Sequence, residues 1–407
     1  MKKIGMVLLG LLTTMLVFSM VLAQENTSEG KTEWDDGIIN FKSQDGKFQT
    51  RFDVRMYING AVFFGDTENK LSNGTHLRKG RFAMKTKLWD VWRAEWDIDM
   101  AEGIVEVKDM FFSYRGFRNS HIKVGHFKIP QGLNELMSSR YQTFVERAYP
   151  MLAFKTGRRA AIEYSHWGRN WNVRAAVFGQ KMDNVKNKQK DETGGGAAAR
   201  VVFAPLYTDQ MVVHTGISGV YENPDDETNA MSFKSEPETK IGDVEILDTG
   251  TIFDVDYATK LGLEGAFTYK NFAFQSEYIR THLKRMNGQK DGTLDGGYAF
   301  VSWILTGEHR PWDSDEGEFG QIMPKNVHGG AWELAARYSH LNLYDANAGI
   351  FGGKANNYTV ALNWYPNPNM KIMVNFTRVD NSEHATGDIG IGNYDFNVLH
   401  AMAVVFF

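Results

Sequence analysis

KGRFAMKTKLWDVWRAEWDIDM, residues 79–100, is the stretch from which the fold can be read. In its first half Lys79, Arg81, Lys85 and Lys87 share one parity, and Phe82, Met84 and Leu88 take the other. In its second half Trp92, Ala94, Trp96, Ile98 and Met100 interleave with Arg93, Glu95, Asp97 and Asp99. Strict period-two alternation over this length predicts strands with one apolar and one charged face. Asp90-Val91 between the halves is a tight turn.

The pattern extends both ways. Upstream, Phe48, Phe52, Val54, Met56 and Ile58 alternate with Gln49, Arg51, Asp53, Arg55 and Asn59. Downstream, similar runs fall near 107–114, 121–127, 159–165, 171–178, 197–203, 211–220, 257–268, 272–282, 298–305, 331–340, 358–364, 371–379 and 394–407. The runs at 107–114 and 298–305 barely alternate. Together they make about 16 strands, an even number as bacterial single-chain transmembrane barrels have. Tight turns at 90–91, 168–170, 270–271 and 366–369 are separated by long polar segments at 63–78, 181–196, 221–256, 283–297, 341–357 and 380–393. Short turns at one end and long loops at the other are the asymmetry of an outer-membrane barrel. The connection at 306–330 breaks that order: either the turn is extended or the strand register slips there.

A soluble β-sandwich or propeller also contains many short strands. Against it stand Trp89, Trp92, Trp167, Trp171, Tyr269, Phe272 and Trp364 near strand ends, where amphipathic rings suit a bilayer interface. The chain ends on Phe407, with Val405, Ala403, Ala401 and Leu399 on the same face, and so resembles the C-terminal signal of outer-membrane barrels. The reading is therefore all-β: a 16-stranded antiparallel transmembrane β-barrel over 48–407, preceded by a polar lead-in at 24–47. Mean hydropathy is negative, which excludes a bundle of apolar membrane helices but suits a barrel, whose strands are apolar on one face only.

Residues 1–23 read as a signal peptide. Lys2 and Lys3 form its charged start, an apolar run follows, and Val21-Leu22-Ala23 precedes Gln24 as a small-residue cleavage site after Ala23. An uncleaved anchor helix is the alternative, but no basic stop-transfer flank follows. There is no cysteine, hence no disulfide framework. Removing Lys2 and Lys3 leaves 43 basic residues against 49 acidic, a net charge of −6. That balance supports neither nucleic-acid binding nor anion handling, so any anion case rests on where the charges sit.

Residues 126–159, HFKIPQGLNELMSSRYQTFVERAYPMLAFKTGRR, interrupt the strands. Loops beyond about 12–15 residues are uncommon in compact domains and often functional. This one holds Leu133, Leu136, Met137, Phe144, Val145, Met151, Leu152 and Phe154, too apolar for a solvated linker, and is expected to fold into the barrel. Its bases are Lys128, Arg140, Arg147, Lys155, Arg158 and Arg159. Lys79, Arg81, Lys85 and Lys87 must face the lumen, because a cation on the lipid face costs roughly 2–4 kcal/mol at the midplane. Glu95, Asp97 and Asp99 partly neutralise them, which leaves selectivity to a narrow point. Basic constrictions are a known device of anion and phosphate pores. No nucleophile, metal site or cofactor site stands out. Gly194-Gly195-Gly196 lacks the Lys-Ser/Thr of a phosphate loop, and the histidines form no HExxH pair.

These residues resemble the phosphate-selective porins of the O and P type. The likeness runs from about Lys47 to Phe407. It is carried by Leu77-Arg78-Lys79-Gly80-Arg81-Phe82, Val124-Gly125-His126-Phe127-Lys128 with Gly132-Leu133, Ser138-Ser139-Arg140 and Glu146-Arg147. Further on it rests on Val202-Phe203-Ala204-Pro205-Leu206, Leu263-Glu264-Gly265-Ala266, Leu305-Thr306-Gly307-Glu308, Gly330-Ala331-Trp332-Glu333-Leu334 and Leu362-Asn363-Trp364-Tyr365. The residues themselves point to no enzyme and no cofactor, and the resemblance implies a homotrimer of 16-stranded barrels in an outer membrane, passing small anions by diffusion past an inward loop. Position by position it assigns Arg78 and Lys79 to a paired basic site and Ser138, Ser139 and Arg140 to the loop site. Arg147, Arg158 and Arg159 are supporting candidates by charge and position, and Arg81, Lys85 and Lys87 line the lumen wall. One departure matters: where the family has an arginine-rich vestibule loop, Phe233-Lys234-Ser235-Glu236-Pro237-Glu238 offers one base and two acids. The expectation is an anion porin for phosphate or polyphosphate. The alternatives are a general or other-solute porin, or a barrel used as an adhesin or assembly partner.

Overall fold

The computed structural model describes residues 31–35, 38–65, 71–179, 194–224, 228–326, 328–382, 384–385 and 395–407. The expected leader, its cleavage site after Ala23, and most of the segments at 181–196 and 380–393 lie outside them.

The alternating runs become the staves of a closed barrel. They are β1 (Phe48–Gly65), β2 (Gly74–Leu88), β3 (Trp92–Asp99), β4 (Glu106–Tyr114), β5 (Ser120–Lys128), β6 (Arg158–Trp167), β7 (Trp171–Phe178) and β8 (Gly196–Tyr207). Then come β9 (Met211–Glu222), β10 (Val255–Tyr269), β11 (Phe272–Arg285), β12 (Gly292–Ile304), β13 (Ala331–Asp345), β14 (Ile350–Asn367), β15 (Met370–Asn381) and β16 (Phe396–Phe406). All pair antiparallel with their sequence neighbours, and β16 closes on β1 with Leu399 opposite Val62 and Val405 opposite Met56. No helix among the described residues is long and apolar enough to cross a membrane; the strands do the crossing.

The strands near 283–297 and 341–357 run further than alternation predicts. β13 and β14 are joined by 346–349 alone. At that height His340, Asn342 and Tyr344 face outward, so the apolar-out pattern fades while the hydrogen-bond ladder continues. Conversely, the poor alternation of β12 has a cause: its inward Tyr298 and Phe300 pack on Phe144 and Ala148 of the inward loop, so both faces are apolar. Part of the expected lead-in is also structured. Lys31–Asp35 and Ile38–Lys42 form a hairpin whose Ile39 and Lys42 pair with Phe52 and Gln49. β1 has 18 residues and β16 only 11, so the hairpin covers backbone groups that β1 would otherwise present as an open edge.

The outer face carries Val62, Ile162, Val201, Leu263, Phe274, Val301, Leu362 and Val374, all exposed as a lipid-facing band requires. At the turn end aromatic rings pair along the rim: Phe48 with Trp89, Phe272 stacked on Trp303, and Trp332 on Trp364. At the loop end Tyr221 meets Tyr257 and Tyr338 meets Tyr358. Two girdles bound one apolar band.

Among the described residues the segment between β9 and β10 packs Phe233, Ile246 and Leu247 on Met151 and Phe154 of the inward loop, and two further segments enter the barrel. The first, 129–157 between β5 and β6, crosses it with two short helices, α1 (Leu133–Leu136) and α2 (Tyr149–Phe154). Leu133 and Met137 pack on Val202, Val212 and Ala266; Phe144 on the β12–β14 wall; Val145 against Tyr57, Met373 and Met402; and Met151 and Phe154 against Ile279 and Leu294. Each fully buried side chain of this size contributes about 1.5–3 kcal/mol, so the loop is pinned to the wall at several points. The second segment is the connection at 305–330. β12 and β13 keep one register, Asp295 opposite Asn342 to Ile304 opposite Glu333, so this turn is extended rather than slipped.

Candidate functional site

The loop starts at Gly132, whose φ of +72° favours glycine. A Cβ there would sit 2.7 Å from Glu277 Oε2. That bare approach lets the Glu277 carboxylate accept the N–H groups of Leu133 and Asn134, both at 2.7 Å, while Tyr298 donates its hydroxyl to the same group. From the opposite side Lys128 Nζ donates to the carbonyls of Glu135 (2.6 Å), Leu136 (2.9 Å) and Met137 (3.2 Å). Further along, Asn363 holds Thr143 O, Arg337 holds Glu146 O, and Glu238 accepts from Tyr149 N and Ser339. Glu238, from the acidic vestibule segment, thus serves as a latch, also paired with Arg337 at 2.7 Å.

These anchors consume much of the expected positive charge. Arg147 is ion-paired with Glu135 at 3.0 Å and donates to Asn134 O, Glu135 O and Met137 O. Arg158 holds Asp109 at 2.7 Å and Arg159 holds Glu222. Arg78 grips Glu146 with two guanidinium nitrogens, at 2.5 and 3.2 Å. On the wall Arg81 meets Asp97 (3.3 Å) and Asp99 (3.2 Å), Lys85 lies 3.4 Å from both Asp53 and Glu95, and Lys87 pairs with Asp90 of the rim.

Lys79 and Arg140 are different. Among the described residues neither has a carboxylate within 4.0 Å. A bulge between Tyr57–Lys79 and Ile58–Leu77 leaves Arg78 as the extra residue, so that Arg78 reaches the loop's Glu146 while Lys79 keeps the lumen face. Lys79 Nζ lies over the Tyr57 ring, 4.8 Å from its centroid. The Tyr57 hydroxyl is 3.1 Å from Ser139 Oγ, and Ser138 Oγ accepts a long 3.4 Å bond from Arg140 N–H. The Arg140 guanidinium lies over Phe406 (5.3 Å), a member of the cluster that holds Tyr57. The strand site and the loop site therefore meet around Tyr57, an aromatic residue in the polar parity of β1 and legible there by that parity alone. On this wall Arg51, Arg55, Lys79, Arg81 and Lys85 face Asp53, Glu95, Asp97 and Asp99, an excess of one positive charge to which Arg140 adds a second. An ammonium, a guanidinium and two serine hydroxyls can together take an oxyanion.

The segment at 305–330 adds groups that sequence reading passed over. Trp312–Asp313 and Glu318–Phe319 form a small hairpin inside the turn end. Arg310 pairs with Glu333 at 2.8 Å and donates to Tyr141 O and Thr143 Oγ1, tying this segment to the inward loop. Glu264 holds Arg200 at 2.8 and 2.9 Å, so the acids of the Leu263–Ala266 and Gly330–Leu334 motifs are structural. Burial and then Asp315 push the Asp313 carboxyl up to about 7. Burial, with Glu316 adding and Arg174 opposing, pushes Glu318 up to about 7. Both groups take up protons below neutrality, so the tip loses two negative charges between pH 8 and pH 5.5. Because these acids bind protons more tightly in place than free in water, docking of the tip strengthens as pH falls. Reversal potentials are expected to shift toward anions on acidification, and Asp313→Asn with Glu318→Gln to remove most of that shift; a full shift in the double variant would assign it to other groups.

Residues 48–407 match the family described as phosphate-selective porin O and P. Porin O of Pseudomonas aeruginosa is 24% identical over 388 residues, covering 84% of this chain and 85% of that protein. An uncharacterized protein of Caulobacter vibrioides is 26% identical over 367 residues, covering 88% and 72%. Among solved structures, an outer-membrane protein of Vibrio cholerae superposes with a TM-score of 0.57 at 10% identity, covering 93% of this chain and all of that one. The anion-selective porin of Comamonas acidovorans gives 0.56 at 9% identity, covering 88% of this chain and all of that one. At such identities the likeness is one of fold.

Proposed function

The chain belongs to the phosphate-selective porin O and P family, an outer-membrane porin barrel, and on that premise we propose that it passes small anions, phosphate or polyphosphate foremost, by diffusion. The observation that carries this reading is the pair Lys79 and Arg140, with no carboxylate within 4.0 Å among the described residues, beside Ser138, Ser139 and Tyr57. An anion there meets uncompensated positive charge and hydroxyl donors, whereas a cation meets the same charge as a barrier. The barrel acts as a channel and not as a catalyst. Arg78, Arg147, Arg158 and Arg159 hold the scaffold in shape and tune the field from behind their carboxylates.

Three copies assembling side by side suit the uneven wall. β3 and β7 have 8 residues and β4 and β5 have 9, below and at the lower limit of about 9 for a spanning strand, whereas β1 and β14 have 18. A neighbouring copy against that low side shields it. The second reading, a porin without phosphate preference, draws support from the vestibule segment, where Lys234, Glu236 and Glu238 are all ion-paired, with Glu245, Lys240 and Arg337. Planar-bilayer recordings separate the two. In a KCl gradient the protein is expected to prefer chloride, and inorganic phosphate to block chloride current in a saturable way. Cation preference would sink the anion reading, and chloride preference without phosphate block would favour the general porin.

A further inference from the structure

Every other connection at the turn end is short, yet the one at 305–330 folds back into the barrel. Its body is apolar and well held. Trp312 and Phe319 are buried with Leu133, Met137 and Val202, Trp312 Nε1 donates to His214 at 3.1 Å, and Tyr207 donates to Trp312 O. Its tip is the reverse. Asp313, Asp315, Glu316 and Glu318 crowd one hairpin turn around Gly317. Gly317 has φ +63°, and a Cβ on it would lie 3.2 Å from both Arg200 Nη1 and Asn172 Cβ, so the tip is pressed onto the wall.

The groups it presses against are guanidiniums fixed by separate elements. Arg115, in the β4–β5 turn, lies 3.3 Å from Asp315 and 3.8 Å from Glu316. Arg174, on β7, binds both the Glu316 carboxylate and, at 3.0 Å, its carbonyl. Asn172 donates to Asp315 O at 2.8 Å and Arg200 to Gly317 O at 3.0 Å. Arg93 on β3, with no carboxylate within 4.0 Å among the described residues, lies in the electrostatic field of Arg115, Asp315 and Glu316. Without the tip, Arg93, Arg115 and Arg174 leave an excess of positive charge inside the turn-end mouth, offset in part by Glu163 beside Arg174, while Arg200 keeps Glu264.

We propose that Asp315 and Glu316 are a tethered counter-anion, occupying a second oxyanion site built by Arg115 and Arg174 with Arg93 at its edge. The inference rests on reading the barrel as an anion channel and adds a second station in series with Lys79 and Arg140. Carboxylate and phosphate oxygens use the same guanidinium fork. A tethered carboxylate competes at an effective concentration of about millimolar or above, so solute oxyanions fill the site only when they are abundant. The tip thereby caps the anion preference of the channel.

The test compares wild type with Asp315→Asn/Glu316→Gln in planar bilayers, phosphate being added to either side. As control, Asp45→Asn/Asp209→Asn removes two charges at the same end of the barrel, from exposed turns. Relative to wild type, the tip variant is expected to raise the chloride-over-potassium permeability ratio about threefold, as opening a guanidinium site should. It should also show a second, tighter component of phosphate block, absent from the control. A heat-dependent shift in gel mobility confirms that the variant barrel is folded. A folded variant with wild-type selectivity and single-component block overturns the proposal, as does an equal rise in the control, which would assign the effect to general charge. If wild type itself prefers potassium, the anion reading fails first, while the ratio of variant to wild type still reports on the tip.

Discussion

Exchanging both Lys79 and Arg140 for glutamate is expected to turn the channel from anion- to cation-preferring. The wall they face is nearly balanced, because Asp53, Asp97 and Asp99 are met by Arg51, Arg55, Arg81 and Lys85. Two reversed charges change the local sum by four, more than the excess available. Singly, Lys79→Ala or Arg140→Ala should raise the phosphate concentration for half block about tenfold, equivalent to ~1.4 kcal/mol. Two unit charges at 4 Å interact by about 4 kcal/mol at an effective dielectric near 20, and water and salt in an open lumen reduce this. Arg158→Ala should act differently. It frees Asp109 and so changes folding or conductance more than phosphate block. Persistence of chloride preference in the double glutamate variant would remove this pair from the selectivity site.

Glu277→Ala is the second large effect. The substitution leaves the N–H groups of Leu133 and Asn134 without their acceptor inside the barrel, at about 1–3 kcal/mol for each orphaned donor. The start of the loop should lift while Phe144 and Phe154 still pin the remainder. Single-channel conductance is expected to rise severalfold and phosphate block to weaken, with the barrel still folded, because the strand ladder keeps all its backbone bonds. Gly132→Ala should resemble it, since its Cβ would enter the space of Glu277 Oε2. Wild-type conductance in both variants would show that the loop is held elsewhere.

The strands were legible because in a one-layer sheet between lipid and water the parity of a residue decides its solvent. That logic identifies the lumen face of β2 and, for the same reason, places Tyr57 inward although it is aromatic. It fails at Arg78, because a bulge inserts one residue and resets parity locally. It fails again on β12, where an inward loop makes the lumen face as apolar as the lipid face. The odd length of the connection at 305–330 stands out in the sequence, but its direction does not. Entry into the lumen depends on Trp312 and Phe319 finding a pocket lined by Val202 and Val212 of other strands.

The loop at 126–159 carries the same division. Its apolar content alone determined that it folds inward, since so many large side chains cannot remain in water. Which of its bases stay free was decided only in three dimensions. Arg159 is neutralised by Glu222, 63 residues away, and the loop's Glu146 by Arg78, 68 residues away, whereas the Arg140 guanidinium lies over Tyr141 and Phe406 with no carboxylate within 4.0 Å among the described residues. Hydrophobic burial sums over a segment and can be read along the chain. Charge compensation is a matter of a few ångströms between strands that only barrel closure brings together.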